Sequence, residues 1–280
     1  MKYQVITTFH QQGYNLYGSR MIKTWLETWP SSVGLKVYAE NCAVTQTADN
    51  LEVVDIDQQC PDLVQFKNKW RNVPKANGNI LGDPVRAQRR DSRKSFKWDA
   101  IRFSHKVYSV FDAARTSPAK WLLWMDADMV CHAPMTLHFL DNMCPDDKDL
   151  CFLGRVGKFS ECGLYAMQLS TPGTQSFLQE FARMYDHAEQ GIFTLAEWHD
   201  SFVFDIVRRS VGGLRELDWS SCLGDLRRSA KNTPGEGHPL INSAWGAYLD
   251  HLKGDNRKQA GRSLREDIKV ARNEHYWQNL

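Results

Sequence analysis

The chain has 280 residues, of which 42% are hydrophobic and 24% charged, and this composition excludes a disordered, collagen-like or coiled-coil protein. Its 35 Lys+Arg and 33 Asp+Glu give a net charge of +2, which favours no particular partner. The strongest apolar run, 121–125, is far shorter than the roughly 18 residues of a membrane-spanning helix. The N-terminus is typical of a first strand rather than a signal peptide. Seven cysteines without a Cys-x-x-Cys pair predict reduced thiols and a cytoplasmic protein.

Apolar runs of strand type alternate with helical periodicity along the chain. Strands are predicted at 3–9, 35–39, 51–56, 121–125 and 150–153, and helices at 18–29, 97–115, 174–188, 199–209 and 240–252. This alternation predicts an α/β fold with a mostly parallel sheet and helices on both faces. The sequence contains no internal repeat or linker, so we expect a single domain over 1–280. In such sheets, ligands bind beyond the carboxyl ends of the strands.

The charge is distributed unevenly. Segment 67–106 contains 12 Lys+Arg and three acids, a local charge of +9, and the other 240 residues carry a charge of −7. Three interpretations stay open: a surface that binds a polyanion, a contact with a nucleotide diphosphate, or a solvated loop.

The most informative motif is Asp126-Ala127-Asp128, directly after the apolar run 121–125. If the strand continues, residues two apart face the same side, so the two carboxylates converge. Such a pair is costly to desolvate unless a cation neutralises it, and hard oxygen ligands suit Mn²⁺ or Mg²⁺. The alternative is a pair of acids that caps the following turn.

A strand ending in this motif midway along the chain resembles the metal-dependent glycosyltransferases of the GT-A fold. The resemblance implies a single GT-A-like (Rossmann-like) domain in which Mn²⁺ or Mg²⁺ binds the diphosphate of a nucleotide-sugar donor. It places Asp126 near the donor ribose or sugar and makes Asp128 the principal metal ligand. It further implies a nucleotide-sugar-binding half at 1–130. The acceptor-binding half would be 131–280, with a C-terminal segment that closes over the donor.

Two further elements are similar to parts of that family. Asp99 and Arg102 lie three residues apart on a predicted helix, like an Asp-x-x-Arg that grips the donor in bacterial toxin glucosyltransferases. Many retaining members carry a late His as third metal ligand and a nearby Lys on the diphosphate, which implies these roles for His251 and for Lys253-Gly254. From the residues alone, Asp99 and Arg102 also fit an intrahelical ion pair, and Gly254 fits a helix C-cap.

The loop after the first predicted strand is where GT-A proteins commonly surround the nucleotide base. Thr8, Phe9 and Tyr14 are therefore candidates for contact with uracil, although the aromatic residues fit a core equally well. The Gly-x-x-x-x-Gly-Lys-[Ser/Thr] phosphate loop is absent from the sequence, which favours a pre-activated sugar over a nucleoside triphosphate. Together with the resemblance, we expect a UDP-sugar as donor.

Three acids are candidates for the acceptor side. Glu161 follows a predicted strand, and Glu197 and Asp200 lie at the start of an amphipathic helix. An inverting transfer needs a general base near the acceptor hydroxyl, which Asp200 or Glu197 could provide. Asp200 also fits a first-turn acid on the helix dipole.

The acceptor is open. The basic segment 67–106 contains aromatic residues and suits an anionic polymer, so one hypothesis is a hydroxymethylated base in DNA, modified by a phage-type enzyme in the host cytoplasm. A cell-surface glycan or lipid-linked acceptor is the alternative. A metal-dependent nuclease or phosphodiesterase with Asp126, Asp128, Asp200 and His251 around its ions is the rival activity, and a non-enzymatic nucleic-acid-binding module is the third. The sugar, the stereochemistry and the oligomeric state stay open.

Overall fold

The computed structural model describes residues 1–92, 94–155, 157–221 and 238–278. The described strands are β1 (Tyr3–His10), β2 (Gly34–Glu40), β3 (Leu51–Asp55), β4 (Trp121–Met125), β5 (Met129–Cys131), β6 (Leu150–Leu153), β7 (Glu161–Gln168), β8 (Glu216–Asp218) and β9 (Leu249–His251).

The α-helices lie mainly between these strands. They are α1 (Ser19–Thr28), α2 (Ile56–Gln59), α3 (Pro61–Trp70), α4 (Ala100–Thr116), α5 (Leu137–Met143), α6 (Pro172–Asp186), α7 (Asp200–Ser210), α8 (Pro239–Asn242), α9 (Asp255–Ala260) and α10 (His275–Gln278). A helical turn at Gln11–Gly13 and a π-helical turn at Tyr14–Gly18 lead into α1. Turns of 3-10 helix occur at Pro74–Asn77, Ser95–Trp98, Ile192–Thr194, Ala244–Ala247 and Arg265–Asp267.

Seven strands form one sheet in the order β3-β2-β1-β4-β7-β6-β8, and β5 pairs with β9 in a small second sheet. The four strands from β3 to β4 are parallel, β7 is antiparallel to both of its neighbours, and β8 is parallel to β6. The predicted α/β class with a mostly parallel sheet is confirmed.

The alternation of side chains along β4 divides the core in two. Trp121, Leu123 and Met125 belong to a buried cluster that includes residues of α1, α5 and α8. Leu122 and Trp124 belong to a second cluster with residues of α3, α4, α6 and α7. Every residue of β4 is buried because helices cover both faces of the sheet.

One predicted helix is wrong. The segment 240–252 contains only the four-residue helix α8 and a 3-10 turn before it becomes β9. Its apolar spacing resembles a helix, but β9 pairs antiparallel with β5, with Met129 opposite His251. His251 therefore lies on a strand, and Gly254 is not a helix C-cap: it precedes α9 with a φ of +93°, a conformation that favours glycine.

The structure bears on membrane spans and on the cysteines. Among the described residues, no helix is long and apolar enough to cross a membrane. The six cysteines that the structure describes are free thiols, and Cys222 lies outside the described residues.

Candidate active site

The two aspartates lie in a turn rather than on a strand. β4 ends at Met125, and the backbone turns through Asp126 and Asp128 before β5 begins. The amide of Asp126 donates to the carbonyl of Gly163 on the neighbouring strand at 2.8 Å, which fixes where the turn begins. The side chains still converge, although the predicted continuation of the strand is wrong.

The imidazole of His251 completes this group from β9. Its Nε2 lies 3.1 Å from Oδ1 of Asp128 and 3.8 Å from Oδ2 of Asp126. Because β9 pairs with β5, which directly follows Asp128, the small sheet brings His251 to the aspartates across 123 residues of sequence. The side chain of His251 is 2% exposed and that of Asp126 is 32% exposed, so the group is open on one side.

Cations compensate these carboxylates. Nζ of Lys258, on α9, lies 3.0 Å from Oδ2 of Asp128. Burial alone would raise the pKa of Asp128, but His251 and Lys258 outweigh it and hold that pKa well below its usual value. The pKa of His251 is lowered by burial and raised more strongly by Asp128, with Glu161 and Asp126 contributing, so the net shift is upward.

The donor set fits a divalent cation. One atom each from Asp126, Asp128 and His251 lies within 4.8 Å of the others. Carboxylate oxygens suit both Mn²⁺ and Mg²⁺. Mg²⁺ prefers oxygen ligands and rarely binds an imidazole nitrogen. The imidazole therefore favours Mn²⁺ over Mg²⁺, and three protein ligands would leave positions for water and substrate oxygen.

A buried lysine, Lys106 on α4, connects the aspartates to α7. Its Nζ lies 3.2 Å from Oδ1 of Asp126 and 2.8 Å from Oδ2 of Asp200, and it donates to the carbonyl of Cys162. Burial alone would lower the pKa of Lys106, but Asp126 and Asp200 raise it well above its usual value. Nε1 of Trp124 donates to the same oxygen of Asp126 at 2.6 Å. Oδ1 of Asp126 is thus anchored, and Oδ2 is the atom on the side of His251.

Asp200 is the first residue of α7, as the amphipathic pattern predicts. Burial raises the pKa of its carboxyl, but Lys106 and His199 outweigh this and lower it. Asp200 is therefore an ionised carboxylate close to Asp126, joined to it by one ammonium group.

Glu161 lies beside Lys253 and His251. It is the first residue of β7, its side chain is 3% exposed, and its carboxylate accepts from Lys253 at 2.7 and 3.0 Å. Oε1 of Glu161 lies 4.0 Å from Nδ1 of His251. The structure thus brings Glu161 and Lys253 next to the metal-ligand candidates.

Glu197 anchors a loop. Its carboxylate accepts from Arg89 at 2.6 Å, from Lys97 at 2.8 Å and from His199 at 3.0 Å. Burial raises the pKa of Glu197, but His199 and Lys97 lower it to about 2 overall. A carboxylate with three donors and so low a pKa is a weak base, which leaves Asp200 as the stronger acceptor-side candidate.

We expect Glu197→Gln to lower the free energy of unfolding at pH 7 by about 2–4 kcal/mol, because it leaves cations uncompensated beside a buried amide. Since the folded-state pKa is depressed from 4.5 to about 2, this stabilisation is present above pH 4.5 and is lost as the pH falls towards 2. Urea unfolding from pH 7 to pH 2.5 measures the difference. The control Glu189→Gln, whose exposed carboxylate lies 3.9 Å from Lys69, should change stability by less than about 0.5 kcal/mol. The prediction would be contradicted if the difference in the free energy of unfolding between wild type and variant did not change with pH.

The other residues predicted to contact the donor form hydrogen bonds within the protein. Asp99 caps α4 by accepting from the amide of Arg102 at 3.0 Å, and the side chain of Arg102 is exposed. Oγ1 of Thr8 donates to the carbonyl of Tyr38 at 2.7 Å. The hydroxyl of Tyr14 contacts Thr45 and Gln46 at 2.9 and 2.7 Å, in a loop after β2.

Phe9 is a core residue at the end of β1. It is 5% exposed, and its ring lies 5.6 Å from that of Tyr14. Gly18 gives the ring space, since a Cβ there would lie 2.9 Å from it. These contacts do not test whether a base binds beside Thr8, Phe9 and Tyr14, which stays a prediction.

Half of the cations in the basic segment 67–106 are paired with carboxylates of the described residues. Six of its cations form ion pairs with carboxylates: Lys67, Lys69, Arg86, Arg89, Lys97 and Lys106. Exposed side chains within it include Arg71, Arg90, Lys94 and Arg102, and Arg93 lies outside the described residues. Acids from the negatively charged remainder of the chain therefore neutralise much of the local surplus.

Sequence reasoning missed three residues near the site. Lys106 and Lys258 contact the aspartates, but no local pattern distinguishes a buried lysine from its exposed neighbours. Tyr17 lies in the π-helical turn, and Nζ of Lys258 lies 5.0 Å from the centre of its ring. Such turns are frequent at functional sites, but their hydrogen-bond pattern is not readable from sequence.

The sheet and its helices form a GT-A fold of the kind found in glycosyltransferases. The chain is similar in structure to LgtC, in the crystal structure of an active-site mutant, with a TM-score of 0.50 and 12% identity over 90% of this chain and 88% of that one. Mouse xyloside xylosyltransferase 1 has a TM-score of 0.45 and 11% identity, with 79% of this chain and 86% of that chain covered. A glycosyltransferase involved in the glycosylation of the major capsid of PBCV-1 has a TM-score of 0.45 and 9% identity, with 93% and 100% covered. No protein-family profile and no curated protein matches the sequence.

Proposed function

We propose that this chain is a metal-dependent glycosyltransferase that moves a sugar from a nucleotide-sugar donor, a UDP-sugar by preference, to an acceptor hydroxyl. The observation that carries the proposal is the convergence of Asp126, Asp128 and His251 at the carboxyl end of β4, in a GT-A fold. In open α/β sheets this edge is where ligands bind.

The ligand set supports Mn²⁺ with Mg²⁺ as the alternative. Asp128 and His251 would hold the ion, with Oδ2 of Asp126 as the third ligand because Oδ1 is bound to Lys106 and Trp124. When bound, the ion would supply electrostatic stabilisation of the departing nucleoside diphosphate.

Two lysines are candidates to bind the diphosphate of the proposed donor. Lys258 contacts Asp128, and a divalent cation on Asp128 would compete with that ion pair. Its ammonium would then be available to phosphate oxygen. Lys253 is the second candidate, since its side chain is 54% exposed although its Nζ contacts Glu161.

Asp200 is the proposed residue on the acceptor side. It is ionised and lies one ammonium group away from Asp126, so an acceptor hydroxyl near the donor sugar would lie within its reach. Asp200 would accept the proton of that hydroxyl if the transfer inverts the anomeric centre. Its pairing with Lys106 keeps it charged and restricts its rotation.

The geometry favours the transferase over the nuclease. A two-metal nuclease needs carboxylates that bridge ions about 3.5–4 Å apart. Asp200 is instead bound to Lys106, and of these residues Asp126, Asp128 and His251 make up the candidate ion-binding group. The DNA acceptor stays a hypothesis with less support from charge, because half of the cations in the basic segment are ion-paired within the fold.

We expect UDP to raise the melting temperature by several degrees in the presence of Mn²⁺ and to have little effect with EDTA, because binding only to the folded state stabilises it. Differential scanning fluorimetry with UDP, GDP, CDP and ADP measures this and identifies the base. Donor hydrolysis and transfer, measured with a panel of UDP-sugars and with hydroxymethylated DNA or glycans as acceptors, then identify the substrates. Metal-independent stabilisation by UDP, or nicking of DNA without a sugar donor, would contradict the proposal.

A further inference from the structure

A second group of metal-ligand types lies behind His251. Glu161, His238 and His251 each place one atom within 4.8 Å of the others. Oε2 of Glu161 lies 3.5 Å from Nε2 of His238, and Oε1 lies 4.0 Å from Nδ1 of His251. The two ring nitrogens are buried and have no hydrogen-bond partner among the described residues. His251 thus faces the aspartates with Nε2 and Glu161 with Nδ1.

The hydrogen bond at the start of α8 argues against a second metal ion here. Nδ1 of His238 accepts from the amide of Leu240 at 3.2 Å, so this nitrogen carries no proton. A neutral imidazole with an unprotonated Nδ1 carries its proton on Nε2. Nε2 therefore presents N–H to Glu161 and offers no lone pair to a metal.

The charges around Glu161 lead to the same conclusion. Nζ of Lys253 lies 2.7 Å from Oε2, and the guanidinium of Arg155 lies 3.4 Å from the same oxygen. A divalent ion would lie among these cations. An anionic carboxylate that accepts hydrogen bonds and ion pairs from Lys253, Arg155 and His238 is consistent with these contacts.

We propose that Glu161 is a positioning residue that holds the Nδ1 proton of His251 and so directs the Nε2 lone pair of His251 at the metal site formed with Asp126 and Asp128. The inference rests on the proposed function and reassigns Glu161 from the acceptor side. Histidine ligands commonly direct their second ring nitrogen at a carboxylate, which fixes the tautomer and the ring orientation. The 4.0 Å separation is about 1 Å longer than a hydrogen bond, so the contact in this structure is electrostatic.

The packing of β7 supports this role. A Cβ at Gly163 would lie 2.5 Å from Cε1 of His251 and 3.3 Å from Oε1 of Glu161. Glycine at this position therefore leaves the ring and the carboxylate free to face each other. Asp250, beside His251 on β9, accepts from Ser263 and Tyr276, which fixes the strand that carries the ring.

The test measures Mn²⁺ affinity by isothermal titration calorimetry in wild type, Glu161→Gln and Glu161→Asp. We expect one ion per chain in the wild type, 10- to 100-fold weaker binding in Glu161→Gln, and partial recovery in Glu161→Asp, which keeps the charge. Long-range ¹H–¹⁵N spectra of the wild type loaded with Zn²⁺, a diamagnetic ion that imidazole binds, should show His251 protonated at Nδ1 only. The spectrum of Glu161→Gln should show loss of that single tautomer, which a purely structural defect would not produce.

The control is Asp149→Asn. The side chain of Asp149 is also 3% exposed and forms an ion pair, with Arg215. It lies at the opposite edge of the sheet: its carbonyl accepts from the amide of Gln168, which is paired with Trp121 at the amino end of β4. Mn²⁺ affinity in this variant should equal that of wild type even if stability falls. Wild-type affinity in Glu161→Gln overturns the inference and leaves the proposed function intact. Two ions per wild-type chain, reduced to one by His238→Ala, would establish the second metal ion instead. Absence of Mn²⁺ binding in the wild type would remove the proposed function itself.

Discussion

Replacing Asp128 with Asn is expected to abolish Mn²⁺-dependent stabilisation by UDP and to reduce sugar transfer at least about 10³-fold, which corresponds to about 4 kcal/mol of transition-state stabilisation. Of the two aspartates, Asp128 lies closer to His251, at 3.1 Å against 3.8 Å for Asp126, and it also pairs with Lys258 at 3.0 Å. An amide keeps the shape of the side chain and removes the charge that binds the cation. Calorimetry with Mn²⁺, fluorimetry with UDP and a transfer assay measure the three effects.

The matched control is Asp147→Asn, which removes a carboxylate that is 70% exposed and whose one ion pair among the described residues is with its neighbour Lys148. Metal binding and transfer in this variant should equal those of wild type. A circular dichroism spectrum separates loss of the site from loss of the fold in Asp128→Asn. Normal Mn²⁺ affinity in a folded Asp128→Asn protein would remove Asp128 from the metal site.

Replacing Lys106 with Met is expected to lower the free energy of unfolding at pH 7 by about 3–5 kcal/mol. The substitution leaves the carboxylates of Asp126 and Asp200 near each other without the ammonium group that lies between them. The substitution also removes the ammonium group that lies 4.7 Å from the ring centre of Trp124 and 5.5 Å from that of Tyr165, which adds to the loss. Urea unfolding measures the loss.

The double variant Lys106→Met, Asp200→Asn provides the sharper test. Removing one of the two charges should restore part of the lost stability, so that the effects of the two substitutions are not additive. Lys120→Met is the control, because Lys120 pairs at 2.8 Å with Asp146, whose side chain is 64% exposed, and should cost less than about 1 kcal/mol. Additive losses in the double variant would show that Lys106 does not compensate Asp200.

The sequence predicts the elements whose signals are local. The strands at 121–125 and 150–153 match β4 and β6 to the residue, because apolar runs of this length in an alternating α/β pattern are buried strands. The helices that contain Lys106 and Asp200 were also predictable, since one apolar face repeats along each. β9 was not predictable, because three residues become a strand only when β5 is there to pair with them.

The sequence by itself determined the α/β class, the Asp126-Ala-Asp128 motif at the end of a buried strand and the resemblance to the GT-A fold, because each depends on residues close together in the chain. Only the tertiary structure decided which residues surround that motif. It brings His251 and Lys258 to Asp128, and Lys106 to both Asp126 and Asp200. It also pairs much of the +9 segment with acids from elsewhere in the chain. Charges interact through space, so these contacts form only when pairing such as that of β5 with β9 brings distant segments of the chain together.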